Sequence, residues 1–199
     1  MSFFKRPENN RHSHNNNRGM TLIELLMAVC IFGLVVLGFG GINSFTYYHV
    51  VSSDKLIKLQ NAAAYLLEHM AKNIGQAVGD TAISPSPISI TTDGSEITIT
   101  AWIDYNLNGR LDSYPSDRQI AYEYAGAPNY EVRYYYDYIG DANYEVITNR
   151  IYSFNCSLTD SYVFTELVAC WNPSLACATS SNPALSMKNH IYMPAVTTH

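Results

Sequence analysis

The sequence predicts an α+β protein: one long amino-terminal helix, membrane-spanning in its first half and amphipathic in its second, packed on an antiparallel β-sheet. Three observations carry this. The eighteen residues from Leu25 to Ile42, LLMAVCIFGLVVLGFGGI, hold no charge and no proline. Beyond them Leu56, Leu59, Ala63, Leu66, Met70, Ile74 and Val78 recur at spacings of three and four, the repeat of one helix face. After Gly79 the repeat becomes two, with Ile97, Ile99 and Ala101 alternating with Thr98, Thr100 and Trp102, as in a half-buried strand.

With Met20, Leu22 and Ile23 added, the apolar run reaches the ~20 residues that cross a bilayer core at ~1.5 Å per residue. Glu24 is its one charge. A carboxylate in hydrocarbon costs at least ~2.5 kcal/mol, so a glutamate there calls for a partner. Lys55, Lys58, Asn61, Lys72 and Gln76 fall between the apolar positions of the second half. The helix is therefore expected from Met20 to Val78, with Gly79 as its stop. The expected divisions are a basic leader (1–19), a membrane half (20–43), an amphipathic half (44–79) and a β domain (80–199).

The edge of the apolar run reads Arg18-Gly19-Met20-Thr21-Leu22-Ile23-Glu24. Glycine, an apolar residue and then Thr-Leu-Ile-Glu, behind a basic leader, resembles the processing signal of type IV prepilins, the family of type IV pilins and type II secretion pseudopilins. That resemblance implies a pilin-like fold and a membrane peptidase that cuts between Gly19 and Met20 and N-methylates Met20. Phenylalanine is usual at that position, and methionine is a departure. Cleavage would leave a positive amine on Met20. Opposite charges brought together attract by several kcal/mol even at an effective dielectric constant near 20, so Glu24 of one subunit would neutralise the Met20 amine of its neighbour and set the assembly register. The family also implies loosening of part of the helix on assembly, expected between Gly33 and Gly41, where glycines each weaken a helix by ~1 kcal/mol. Two other readings exist. A secretory signal would be cut after the apolar region, where Phe39-Gly40-Gly41-Ile42-Asn43 is a poor match. A plain anchor explains the span and leaves the Gly-Met-Thr-Leu-Ile-Glu edge unexplained.

Charge divides at the same place. The leader carries Lys5, Arg6, Arg11 and Arg18 against Glu8, whereas the chain as a whole is at −5. Basic residues before a span and acidic ones after it place the leader in the cytoplasm and the bulk outside. That is a single pass through a bacterial inner membrane before processing, then a periplasmic or cell-surface filament. An acidic ectodomain argues against nucleic acid, which needs clustered Lys and Arg. Of four cysteines, Cys30 lies in the membrane run, and Cys156, Cys170 and Cys177 would meet an oxidising compartment,. Cys170–Cys177 is the favoured disulfide, closing a loop around Asn172-Pro173-Ser174. Cys156–Cys170 is the second possibility, with Cys156 otherwise an inward strand residue.

Ser84-Pro85-Ser86-Pro87 reads as an extended linker. Strands are expected at Glu96–Trp102, Gln119–Ala125, Tyr130–Tyr138, Arg150–Leu158 and Tyr162–Trp171. Nine tyrosines lie between Tyr122 and Tyr152. They suit the wet rim of an antiparallel sheet, with a carbohydrate-stacking platform as the other reading. The helix segment Met70–Ala77 and the ordered blocks Arg118–Tyr124, Tyr130–Tyr134 and Val146–Phe154 look like W-type minor pilins and J-type pseudopilins.

Asp104-Tyr105-Asn106-Leu107-Asn108-Gly109-Arg110-Leu111-Asp112 has the D-x-N-x-N-G-x-x-D spacing of a calcium loop,. Asp104, Asn106, Asn108 and Asp112 would aim oxygens at one Ca²⁺, with the Arg110 carbonyl. The bidentate Glu of a full loop is replaced by Pro115, so Asp117 would have to fold back. Two carboxylates imply weak binding, around 10⁻⁴–10⁻³ M. An Asn108-Gly109 hairpin turn is the other reading.

The sequence holds no phosphate-binding glycine loop, HExxH, Gly-x-Ser-x-Gly or C-x-x-C, so no enzyme is expected and no cofactor beyond calcium. The reading is a structural subunit, a minor pilin of a type IV pilus-like filament. Its expected partners are prepilin peptidase, other pilin or pseudopilin subunits, an inner-membrane assembly platform and lipid. A J-type pseudopilin of type II secretion and a membrane-anchored ligand-binding module are the alternatives.

Overall fold

The structure, a computed structural model, describes residues 20–82, 84–179 and 181–197, with backbone only for Ala142. The leader, including Gly19, lies outside the described residues. Helix α1 runs Leu22–Ile74, which at ~1.5 Å per residue is ~80 Å of continuous helix. Gly33, Gly38, Gly40 and Gly41 are all helical. Residues up to Tyr47 form one unit and those from Tyr48 a second.

The end of α1 differs from expectation. Ala77 N–H bonds Ile74 O at 2.9 Å and Gln76 N–H bonds Asn73 O at 3.2 Å, a tightened last turn that satisfies terminal carbonyls. Val78, the last apolar residue of the helical repeat, instead opens β1 (Val78–Asp80). Gly79 has φ +133°, and a Cβ there would stand 2.9 Å from Leu111 Cδ2 and 3.1 Å from Pro87 Cβ. Glycine is thus needed by the strand as well as by the chain reversal.

Five strands form an antiparallel meander: β2 (Ile88–Asp93), β3 (Glu96–Ile103), β4 (Arg118–Ala125), β5 (Glu131–Asp137) and β6 (Asp141–Thr148). Ile99 faces Tyr122 across β3–β4, and Tyr122 faces Tyr134 across β4–β5. A second antiparallel sheet holds β7 (Ile151–Thr159), β8 (Tyr162–Cys170) and β9 (Ala184–Tyr192). β1 pairs in parallel with β10 (Ala195–Thr197), Gly79 opposite Val196. Strands β1, β2, β6, β9 and β10 were not expected.

The core fuses helix and both sheets. Leu59, Ala63, Leu66, Met70 and Ile74 are each 0 % exposed. They pack with Ile99, Ile120, Tyr122 and Val132 of the meander and with Ile151, Val163, Leu167 and Ile191 of the second sheet. Alternation fails at one strand end: Trp102, expected on the wet face, is buried. Its N–H bonds the Pro87 carbonyl at 2.9 Å, so the linker runs beside this end of β3.

Candidate processing and assembly site

Thr21 and Glu24 build the amino end of α1. Thr21 precedes the first helical residue, and its hydroxyl accepts the Glu24 N–H at 3.3 Å. The Glu24 carboxylate returns the bond, with Oε2 accepting the Thr21 N–H at 2.9 Å and the Thr21 hydroxyl at 3.0 Å. This is a capping box, which satisfies two of the amide groups a helix start leaves without partners. The carboxylate also complements the positive end of the helix dipole. The same four residues, Thr-Leu-Ile-Glu, therefore start the helix and hold the only acid of the apolar run four residues from Met20.

The following side chains are apolar on every side and exposed: Leu22, Phe32, Leu34 and Leu37 among them, with Leu37 at 74 %. Exposed apolar surface on this scale needs a cover other than water. By length and composition α1 can cross a membrane, and its most apolar window is wholly unburied. Cys30 is exposed within it.

The acidic loop folds onto itself. Asp104 Oδ1 accepts Asn108 N–H at 3.1 Å, and Oδ2 accepts Gly109 N–H. Asn106 Oδ1 and Asn108 Oδ1 take the N–H groups of Asn108 and Arg110. Both asparagine amides donate to Asp112 Oδ2, at 3.1 and 2.6 Å, and they hold its carboxyl below the usual range,. Asp117 does fold back: fully buried, it accepts Tyr105 N–H at 3.2 Å and Asp112 N–H at 2.6 Å. The structure thus brings Asp104, Asn106, Asn108 and Asp112 into one loop clasped by Asp117. Among the described residues no group of three or more His, Cys, Asp or Glu is placed to hold a metal ion.

Cys170 and Cys177 are joined by a disulfide, while Cys156 is free and packs against the core. Burial pushes the Cys156 thiol up to about 11, which suppresses the reactive thiolate.

One polar cluster was passed over by the sequence reading. Tyr122, almost fully buried, bonds His69 through its hydroxyl, 2.8 Å from Nδ1 and 3.0 Å from the backbone carbonyl. Asn73 Nδ2 donates to the Tyr122 oxygen at 3.0 Å and to the His69 carbonyl at 2.8 Å. The Tyr134 ring meets His69 edge-on, centroids 4.9 Å apart. Burial pushes the Tyr122 phenol up and the His69 imidazolium down. Only the His69-x-x-x-Asn73 spacing, one turn on a helix face, pointed there, and it is a weak signal. The cluster fixes the helix on β4.

Residues 14–40 match the prokaryotic N-terminal methylation motif. The chain therefore carries a type IV prepilin-like signal, and with its long helix and antiparallel sheets it has a pilin-like α+β architecture. No curated protein and no solved structure matches the chain. The motif implies processing by a prepilin peptidase and assembly with other pilin subunits, which is a structural role. It also fits membrane anchoring through the apolar helix.

Proposed function

We propose that this chain is a minor subunit of a type IV pilus-like filament, cut after Gly19, N-methylated on Met20 and assembled through α1. One observation carries the reading: the methylation motif meets the exposed apolar first half of α1, whose only acid, Glu24, is locked at the helix start by Thr21. A carboxylate held there is already ordered for the Met20 amine of a neighbouring subunit, and within lipid the pair would lie away from the bulk water that weakens such attraction. Before processing, the chain would be a single-pass inner-membrane protein. Mass spectrometry of the mature protein tests this. N-methyl-Met20 is the expected amino terminus, and an intact residue 1 would leave a plain anchor. Glu24→Ala should insert into the membrane normally yet be lost from sheared filaments; normal incorporation would refute the charge pairing.

The J-type pseudopilin reading uses the same helix and the same processing. It would show as a defect in protein export, with surface pili intact, when the chain is deleted.

The acidic loop supports a second, structural proposal: Asp104, Asn106, Asn108 and Asp112 hold one calcium ion weakly. The support is the wrap of the Asn108 and Gly109 N–H groups onto Asp104, which curls the loop.

A further inference from the structure

Arg150 lies in the turn between β6 and β7, with its guanidinium carbon 4.1 Å from the centroid of the Trp171 ring. Held over an indole face, a guanidinium still has N–H groups to offer a planar acceptor. Among the described residues no carboxylate pairs with Arg150; the salt bridges there belong to Lys58, Arg133 and Lys188. Lys55 Nζ lies 5.7 Å from the same ring and adds a second positive charge.

Arg150 opens onto a recess of about 320 Å³, lined among others by Asn129, Tyr130, Asn149, Trp171 and Asn172. Among the described residues no carboxylate lines it, although Asp and Glu outnumber Lys and Arg by 17 to 12 in the chain. The exposed amides of Asn129 and Asn149 have no hydrogen-bond partner among the described residues. An amide offers two donors and an acceptor, the complement of a hydroxyl group that both gives and takes. Arg118, stacked 3.8 Å over Tyr105, presents a contrast, because its cavity also contains Asp104.

The recess is braced on every side. Ile151 N–H bonds Tyr130 O at 3.2 Å, and Cys170 N–H bonds Arg150 O at 2.9 Å. Asn182, 4 % exposed, accepts Asn172 N–H at 2.7 Å and donates to the carbonyls of Asn172 and Ala176. The Cys170–Cys177 disulfide closes the same loop. Rigid walls reduce the ordering cost of binding.

A planar cation without a carboxylate partner, free amides and a volume near the low end for ligand pockets describe a ligand of one ring's size with one carboxylate and several hydroxyls. We propose that this recess binds a uronate residue of an acidic polysaccharide, with Arg150 on the carboxylate and Asn129 and Asn149 on ring hydroxyls. The site goes beyond the filament role and does not depend on it.

The test titrates the full chain in detergent micelles with a galacturonate trimer, the matching neutral galactose trimer and a glutamate-rich peptide, read by calorimetry. Saturable binding of the galacturonate is expected, at least about tenfold tighter than the neutral sugar, because only the uronate offers Arg150 a charge-assisted hydrogen bond. Arg150→Gln and Asn149→Asp should each weaken it by about tenfold or more with unchanged melting. Asn149 is exposed, so Asn149→Asp decides the matter should Arg150→Gln fail to fold. Absence of saturation, equal affinity for the neutral sugar, indifference to both variants, or binding of the peptide in place of the sugar would overturn the proposal.

Discussion

The two halves of α1 share a backbone conformation and almost nothing else. From Leu22 to Ile42 apolar side chains point in all directions and stay exposed, whereas from Leu59 to Ile74 a single stripe is fully buried. Helical geometry is common to both, so the distribution of side chains around the axis decides the solvent. An all-round apolar surface suits lipid, and a stripe suits one protein face. The polar residues sort the same way. Lys58 lies on the exposed side of the second half, paired to Asp54, and half-buried Lys55 reaches the Ser181 carbonyl at 2.9 Å, while the first half has only the capping carboxylate of Glu24.

The sharpest way to break this contrast is to remove the same kind of bulk from each half. Met70, fully buried at the meeting of helix and sheets, should lose about 2–5 kcal/mol of ectodomain stability on Met70→Ala. Leu34→Ala in the exposed half should leave ectodomain melting where it was. Urea unfolding of both variants in micelles reads the difference. Equal losses would mean that the first half also belongs to the protein core.

A smaller effect bears on the loop farthest from the apolar half in chemistry. Calcium bound with the weak affinity expected of two carboxylates, 10⁻⁴–10⁻³ M, should stabilise the ectodomain by about 1.4–2.7 kcal/mol at about 10 mM. Melting with calcium and with chelator measures it, and Asp104→Asn should abolish the shift. An unchanged melting point would leave Asp117 and the backbone amides as the only closure of this loop.

Periodicity made the helix, its buried stripe and five of the strands legible in advance, because each of those segments has apolar residues at a constant spacing. Strand β9, Ala184–Tyr192, was hidden for the opposite reason. It is an edge strand whose alternating apolar positions, Leu185, Met187 and Ile191, are interrupted at Asn189 by the polar run Lys188-Asn189-His190, so its pairing with β8 is set by tertiary context. Val78 misled because a buried strand residue can fall in phase with a helical stripe. At the amino end the Gly-Met-Thr-Leu-Ile-Glu edge was legible as a processing signal, yet the capping box inside Thr21–Glu24 went unread. The His69–Tyr122–Asn73 cluster had only the weak His69-x-x-x-Asn73 spacing as a local sign, since Tyr122 comes from 53 residues away.

That cluster gives the smallest effect and the last test of the contrast, because it supplies a histidine where the buried stripe meets the sheet, and residues 20–43 of the membrane half contain none. Burial lowers the His69 pKa from its ordinary 6.5, and Lys72 adds to this while Glu145 opposes it. Below 6.5 the unfolded chain therefore takes up a proton that the folded chain resists, and stability falls with pH through the window just under that value. Above the window His69 has no effect on the slope, and below the folded pKa its loss is complete. Protonation also removes Nδ1 as an acceptor for the Tyr122 hydroxyl, which keeps the His69 carbonyl as its alternative, so the loss is modest. His69→Gln retains a polar side chain without the titration. Urea midpoints measured from pH 7 downward should fall less steeply in this variant than in the parent chain, and identical slopes would place the acid sensitivity on the carboxylates instead.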